Sequence, residues 1–457
     1  MNPIITLFSF AALISILVFF IAFIITSILE TRYRPVFRIL MLLPFTAIYA
    51  ALILIQFPFR AYILTAILAV MFFGTMIFFI LPIRTDQKIR IVGKQDKVDE
   101  RDALFHRFYR IKPGTEEFKT YYEMRPENRK PDDEIRKLPG LNEPGSMSYN
   151  KFTSPFQQAE FDIIDTFNKD VDFWPEPENI NKVEASPEEF TMIIKGFARY
   201  LGAKLVGMTK LNQAYVYSHI GRSPGTWGEE IKIDHPSAIV VAVEMDFDMV
   251  RFAPHHIVTT ETALKYFEAG KIAAIIARYI QLIGYKARAH IDGNYRVMCV
   301  PIAVDAGIGE LGRLGLLITP KFGPRVRLAV ITTDIPLVYD KPISFGVQDF
   351  CTFCKKCATN CPSGSIDKGD KKVYRGTEKW ISNQTTCYKF WRMQGSDCSV
   401  CVNVCPFSHP DSFLHNIVRW GIKRNKLFRR FALMADDFLY GRRPKNQAKF
   451  PEWHKPR

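Results

Sequence analysis

Eight of the nine cysteines in this chain fall between Cys351 and Cys405. They stand as Cys351-x2-Cys354-x2-Cys357-x3-Cys361-Pro362, then Cys387, then Cys398-x2-Cys401-x3-Cys405-Pro406. A disulfide framework would spread cysteines through the fold, whereas clusters at x2 and x3 spacing point to metal. Three thiolates on one tight loop can cap three corners of a cubane, and the fourth corner needs a cysteine from afar. Zinc also takes four thiolates, but it gives no reason for an x3-Cys-Pro ending that occurs twice. Residues 346–410 are therefore expected to hold two [4Fe–4S] clusters.

The first run has the spacing of bacterial ferredoxins, in which the fourth cysteine serves the other cluster. The crossed assignment gives one cluster Cys351, Cys354, Cys357 and Cys405, and the other Cys361, Cys387, Cys398 and Cys401. Two neighbouring clusters form a one-electron wire, so an acceptor is expected elsewhere in the chain or in a partner. Cys299, the ninth, lies in an apolar run and reads as a buried, inert thiol.

At the other end, residues 3–29, about 39–57 and 61–83 are three apolar runs without internal charge, each near the ~20 residues that cross a bilayer as a helix. Residues 1–83 thus read as a three-helix membrane anchor. The first run has no basic n-region and no small-residue cleavage site, so it is not read as a secretory signal, and no twin-arginine pair precedes it. Arg32, Arg34 and Arg38 follow the first run, and Arg84, Lys88, Arg90 and Lys94 follow the third. Positive charge stays inside, which puts both segments, and everything after residue 84, on the cytoplasmic side of the inner membrane. The spans hold no Asp, Glu, Lys or His, so no proton or ion path is expected there.

The 457 residues carry a net charge of +15, and residues 1–83 contribute little of it: four arginines against Glu30. The basic soluble part suits anionic lipid headgroups or a phosphate-bearing partner, and charge alone does not choose between them. Residues 84–190, rich in Pro, Glu and Lys, read as irregular structure wrapped on a core. From 191 an α/β pattern sets in. Residues 191–201 read as a helix, and Leu205–Thr209, Ala238–Val243, Val297–Val304 and Val326–Thr332 as strands. Thr262–Ile283 reads as the longest helix, with Ile272, Ile275, Ile276, Tyr279, Ile280 and Ile283 on one face and Gly284 as its stop. Gly307-x-Gly309-x-x-Gly312 matches a dinucleotide fingerprint. The Leu316–Thr319 stretch before Pro320 is not a helix, though, and the fingerprint needs a helix N-terminus for the pyrophosphate. A glycine loop of this kind also lets backbone lie against a flat macrocycle.

Several further segments resemble the reductive dehalogenases, corrinoid iron–sulfur enzymes that remove halide from organohalides. Val98-Asp-Glu-Arg-Asp102 is similar to the start of that family's catalytic part. Leu201-Gly-Ala-x-Leu-Val-Gly-x-Thr-Lys210 and Tyr215-Val-Tyr-Ser-His-x-Gly-Arg222 are similar to its next block. Asp305-Ala-Gly-x-Gly-Glu310 through Gly323-Pro-Arg-Val-Arg327 resembles its corrinoid-lining loop and strand, and Asp436-Asp-Phe-Leu-Tyr-Gly-Arg442 its tail. The resemblance implies an α/β (α+β) corrinoid-binding domain over 191–345, continued by the ferredoxin-like module over 346–410. A basic tail over 411–457 is expected to pack on the catalytic unit.

The resemblance also implies a base-off cobalamin or related corrinoid, and the chain has no Asp-x-His-x-x-Gly segment that would put a histidine on cobalt. Gly307, Gly309, Gly312, Gly323, Tyr215 and His219 are the implied corrinoid contacts. Tyr266 is the implied proton donor, early in its helix, where the dipole would favour the phenolate. Arg325 or Arg327 would be its cation and Asn294, or else Asp292, its polar neighbour. The implied reaction is two-electron reduction of an organohalide, with electrons passing from a quinol-linked protein, ferredoxin or flavodoxin through the clusters to cobalt. Two other readings compete. One is a tRNA-modifying epoxyqueuosine reductase, disfavoured by the apolar spans, by the tyrosine where that family has an acid, and by the missing helical-repeat domain. The other is a non-catalytic membrane ferredoxin, which leaves some 250 residues without a role. No nucleic acid is expected as a partner.

Overall fold

The computed structural model describes residues 3–77, 82–83, 89–170, 181–222, 224–443 and 450–454, and only the backbone of Asp170. Contacts divide the chain into two units: Met1–Gln87 with His409–Ala448, and Lys88–Ser408 with Lys449–Arg457.

The first unit is helical. Pro3–Leu29 and Tyr33–Leu54 are long and apolar enough to cross a membrane, while the third apolar helix, Arg60–Thr75, has 16 residues. At ~1.5 Å per residue its α-helical part spans ~24 Å, and Met76 and Ile77 continue it. Among the described residues the three expected spans are two long helices and a shorter one. Residues 78–81 of the third apolar run, Arg84 and Lys88 lie outside the described residues. The second helix also begins earlier than its apolar run, taking in Arg34 and Arg38. Leu7, Phe8, Val18, Ile21, Phe45 and Leu54 face outward, each more than half exposed.

Helices Phe413–Arg424 and Lys426–Leu439 belong to this unit too. Leu414 packs with Phe23 and Ile39, His415 pairs with Glu30 at 3.2 Å, and a side chain at Gly441 would strike the Arg34 guanidinium. The expected docking of 411–457 on the catalytic unit is thus corrected for His409–Ala448. These helices are amphipathic, and their apolar faces find the N-terminal helices.

The second unit is built on a four-stranded sheet: β1 (Leu205–Lys210), β2 (Ser237–Glu244), β3 (Ala287–His290) and β4 (Val326–Thr333), in the order β1-β2-β4-β3. Every pairing is antiparallel, with Val241 opposite Ala329 and Ala289 opposite Ile331. Side chains alternate across a strand, and here both faces are buried. Ile239, Val241, Val243, Ala329 and Ile331 meet Ala269, Ile272, Ala273, Ile276 and Ile280 of the Ile257–Leu282 helix. Val240, Ala242, Leu328 and Val330 meet Val216, Ile302, Ile308 and Phe322.

Two sequence expectations fail here. Val297–Val304 is not a strand; Cys299–Asp305 is a short helix. A brief apolar run cannot distinguish the two, and Pro301 is tolerated because it falls in the first turn. Residues 84–190 are not irregular either. They hold helices Leu104–Tyr109, Glu116–Met124, Arg129–Arg136 and Ser154–Asp170. Their Glu, Lys and Arg are good helix formers. Thr115 caps one helix through Phe118 N, and Arg136 lies over the rings of Phe108, Phe118 and Tyr122 at 5.0–5.3 Å.

Candidate active site

Arg327 lies on β4 in phase with Ala329 and Ile331, so its side chain turns toward the long helix. Its guanidinium carbon sits 5.0 Å from the centre of the Tyr266 ring. Nη2 donates to Thr262 Oγ1 at 2.9 Å and to Asp397 Oδ2 at 3.2 Å. Asp397 is itself tied to the helix, accepting from Thr262 Oγ1 at 2.6 Å and Thr259 Oγ1 at 3.3 Å, while its own N–H donates to Thr259. Arg327 Nε is buried without a hydrogen-bond partner. One donor of the guanidinium is therefore unspent beside the phenol.

Tyr266 is not at its helix's N-terminus. The helix starts at Ile257, nine residues earlier, and the dipole's influence fades within the first turn. The expected help for the phenolate is absent. Burial pushes the Tyr266 hydroxyl up to about 12, with Arg327 pulling the other way and Asp292, Asp397 and Cys299 adding to the rise. The resting group is a neutral phenol.

Tyr217, Tyr266, Asp292, Tyr295 and Cys299 are partly accessible. They act electrostatically on one another, so they form one group. Arg222 reaches it from the Tyr215–Arg222 motif, its guanidinium 5.0 Å over the Tyr295 ring. Glu100 locks that motif in place: it accepts from Gly221 N at 2.9 Å and from Arg222 Nε at 2.6 Å. The two motif segments are thus one structural piece. Burial raises the Cys299 thiol to about 12. As expected it is protonated, and it lies in the same group of side chains.

Other expected site residues are not brought to Tyr266. Asn294 is fully buried, its Oδ1 accepting from Arg288 Nη2 at 2.8 Å and its Nδ2 donating to the Asn168 carbonyl at 3.0 Å. Asp292, two residues earlier, is the group whose charge reaches Tyr266. Arg325 binds Glu244 at 3.1 Å and the Ser408 carbonyl at 2.7 Å. Tyr215 packs in the core behind the sheet, and His219 bonds Ser218 Oγ at 2.9 Å. The glycines serve the chain's own packing. A side chain at Gly307 would meet the Lys341 carbonyl, at Gly309 the Ile318 carbonyl, at Gly312 the Ile318 side chain and at Gly323 the Phe407 carbonyl. The fingerprint loop runs into a hairpin, Glu310–Leu311 with Leu317–Ile318, and carries no helix N-terminus for a pyrophosphate.

That loop braces the cysteine module instead. Glu310 accepts from Phe345 N at 2.7 Å, and the fully buried Arg313 donates to the carbonyls of Cys351 at 3.0 Å and Asp367 at 2.8 Å. Cys351, Cys354, Cys357 and Cys405 line one cavity, with Arg313 and Phe407. Cys361, Cys387, Cys398 and Cys401 form the second group: Cys361 acts electrostatically on the other three, and Cys401 also feels Cys398, Cys387 and, from the first group, Cys357. Lys355 and Ser399, each the residue after the first cysteine of a Cys-x2-Cys pair, share the left-handed conformation at φ 50. Burial pushes the Cys351, Cys357 and Cys398 thiols to about 12 and Cys387 to about 11. Such thiols give up their protons only to a cation, so the donor sets fit iron–sulfur clusters.

Comparison with known proteins agrees with this arrangement. The 4Fe-4S dicluster domain family matches residues 350–409. The tetrachloroethene reductive dehalogenase of Sulfurospirillum multivorans is 33% identical over 290 residues, 56% of this chain and 58% of that protein. Its namesake from Desulfitobacterium hafniense is 34% identical over 281 residues, 51% of each. Over about half its length the chain is thus similar to reductive dehalogenases. The catabolic reductive dehalogenase NpRdhA has a similar structure, with a TM-score of 0.66 and 25% identity over 81% of this chain and 50% of its own. The chain spans little more than half the length of the curated relatives it matches.

Asp397, Glu100 and Arg313 were not singled out from sequence, whereas Asp292 was weighed there beside Asn294. Glu100 stands inside a recognised motif and Asp397 directly before a cluster cysteine, which are the two signals that sequence offered.

Proposed function

We propose that the chain is a membrane-anchored reductive dehalogenase. Two electrons and one proton replace a halogen on an organohalide by hydrogen, and halide leaves. The observation that carries this reading is the contact of Tyr266 with Arg327, held by the residue next to Cys398. The two cysteine sets are assigned to two [4Fe–4S] clusters in the crossed pattern, which bring electrons singly. Tyr217, Tyr266, Asp292, Tyr295 and Cys299 would line the place of a corrinoid, their aromatic rings suited to a flat ring. Bound there, the corrinoid supplies a cobalt centre that accepts the electrons and breaks the carbon–halogen bond.

The chain's own part is the proton. Tyr266 Oη holds it at neutral pH because burial disfavours the phenolate. When the proton leaves for carbon, the Arg327 charge stabilises the anion that remains. Asp397 keeps Arg327 in place through the transfer. The long N-terminal helices, with apolar side chains outward, are the proposed anchor, and lipid is their partner. The electron donor would reach the cluster module.

The test is halide release by protein purified without oxygen, given a chemical reductant and a panel of chlorinated and brominated alkenes and phenols, with and without cobalamin. The expected result is about eight iron per chain and halide release only with cobalamin. Two zinc and no iron, or no halide from any compound tried with cobalamin bound, would overturn the proposal.

A further inference from the structure

Just before the long helix, a different set of side chains converges. His255, His256 and His454 each bring a ring nitrogen to within 4.8 Å of the others'. His454 is 8% exposed, and its Nε2 is buried with no hydrogen-bond partner. A polar atom hidden in this way is costly and asks for a partner.

We propose that His255, His256 and His454 form a binding site for a divalent first-row cation of the zinc type, in addition to the iron of the two clusters. The surroundings are those of a ligand set. His256 Nδ1 faces the Ser148 carbonyl, which fixes the proton there and leaves Nε2 with its lone pair. A backbone carbonyl behind the non-ligating nitrogen is the usual support of a metal-binding imidazole. Thr153 Oγ1 is 2.8 Å from the His256 Nε2 and would turn its proton aside when the cation enters. Phe450 stacks on His454 at 4.7 Å and meets His255 at 5.5 Å, giving the site an apolar wall.

Three neutral imidazoles with no thiolate suit zinc, copper or nickel better than magnesium or calcium. A tetrahedral zinc needs its nitrogens about 3.3 Å apart, so the rings must draw together by up to about 1.5 Å. His454 can supply that movement, because it stands on the three-residue turn Glu452–His454. The fourth position would go to water. The cation would clip that turn to the start of the helix that carries Tyr266.

The test uses the full-length protein with its clusters loaded, titrated with Zn(II) against a chelating indicator. One zinc per chain is expected, with a rise in Tm, because a ligand of the folded state alone stabilises it. His454→Ala and His255→Ala should each weaken binding by at least ~10-fold, since losing a ligand costs no less than losing its support. Neither should change the iron content. Without zinc, His454→Ala should keep the wild-type Tm to within about 2 °C, because its Nε2 has no hydrogen bond to lose. Equal zinc binding by wild type and His454→Ala, or no zinc binding by either, would overturn the proposal.

Discussion

Asp397 holds Arg327 at 3.2 Å and stands directly before Cys398, so one carboxylate connects the cysteine module to the cation beside Tyr266. It accepts from two threonines of the Tyr266 helix as well, which leaves Arg327 little freedom to swing away from the ring. Asp397→Asn keeps the shape but removes the charge that aims the guanidinium. Turnover should fall about 10-fold, the scale of ~1.4 kcal/mol lost from a charge-assisted hydrogen bond. KM, iron content and the cluster signals by electron paramagnetic resonance should stay as they are. Loss of iron together with activity would show that Asp397 supports the cysteine loop and not Arg327.

The Tyr266 hydroxyl is pushed up to about 12 by burial, and this fixes the sign of its pH dependence. The acid form is the donor and is the form present below that value. Rising pH from 7 to 10 should therefore not deplete it. In Tyr266→Phe, turnover should drop by roughly 10²–10⁴, the range for a positioned acid, with clusters and corrinoid retained. Arg327→Met should also slow the reaction, and the double variant should be less impaired than the product of the two, since both act on one group. A wild-type rate that declines with an apparent pKa of 8 to 9, and a Tyr266→Phe variant that keeps full rate, would together assign the proton to another group.

Much of the architecture was legible because it is written in local pattern. Cysteine spacing marked the module, and short, nearly continuous β-branched apolar runs marked β2 and β4. The start of the long helix was not legible, because Ile257-Val258-Thr259-Thr260 is a β-branched run that favours strand; tertiary packing overrides it. That error moved Tyr266 toward a dipole it does not feel. The Asp397 link was hidden for another reason: it joins residues 135 positions apart, and one aspartate beside a cysteine carries no periodic signal. The glycines 307, 309, 312 and 323 were noticed correctly as sites of close approach, but sequence cannot say whether a macrocycle or the chain's own carbonyls come close.

The crossed cysteine sets predict a crossed defect. Cys361 follows Cys357 closely in sequence, yet its charge is felt by Cys387, Cys398 and Cys401. Cys361→Ser should therefore disturb the cluster of Cys398 and Cys401. The cluster in the cavity of Cys351, Cys354, Cys357 and Cys405 should be kept. Electron paramagnetic resonance of the reduced protein separates the two signals. Loss of the same signal in Cys361→Ser and Cys354→Ser would mean that each motif holds its own cluster.

The side of the membrane depends on the shortest apolar helix. Pro3–Leu29 and Tyr33–Leu54 each have the length to cross, and Arg32, Arg34 and Arg38 lie near their junction. Positive residues stay on the cytoplasmic face, so the chain is expected to emerge outside after the second crossing. Arg60 is a weak signal against this, because its Nε is spent on the Leu52 carbonyl at 3.0 Å. A cytoplasmic catalytic unit then requires Arg60–Thr75 to return the chain. That segment's described α-helical part, ~24 Å, is ~6 Å less than the hydrocarbon thickness, and even such a mismatch costs only fractions of a kcal/mol per Å when the bilayer thins. The expectation is therefore a third, short crossing and a catalytic unit in the cytoplasm. A reporter fused after residue 457 that is active only inside the cell should be active here. Protease that reaches the catalytic unit in intact spheroplasts would mean that Arg60–Thr75 lies on the membrane without crossing it, and that the enzyme faces outward.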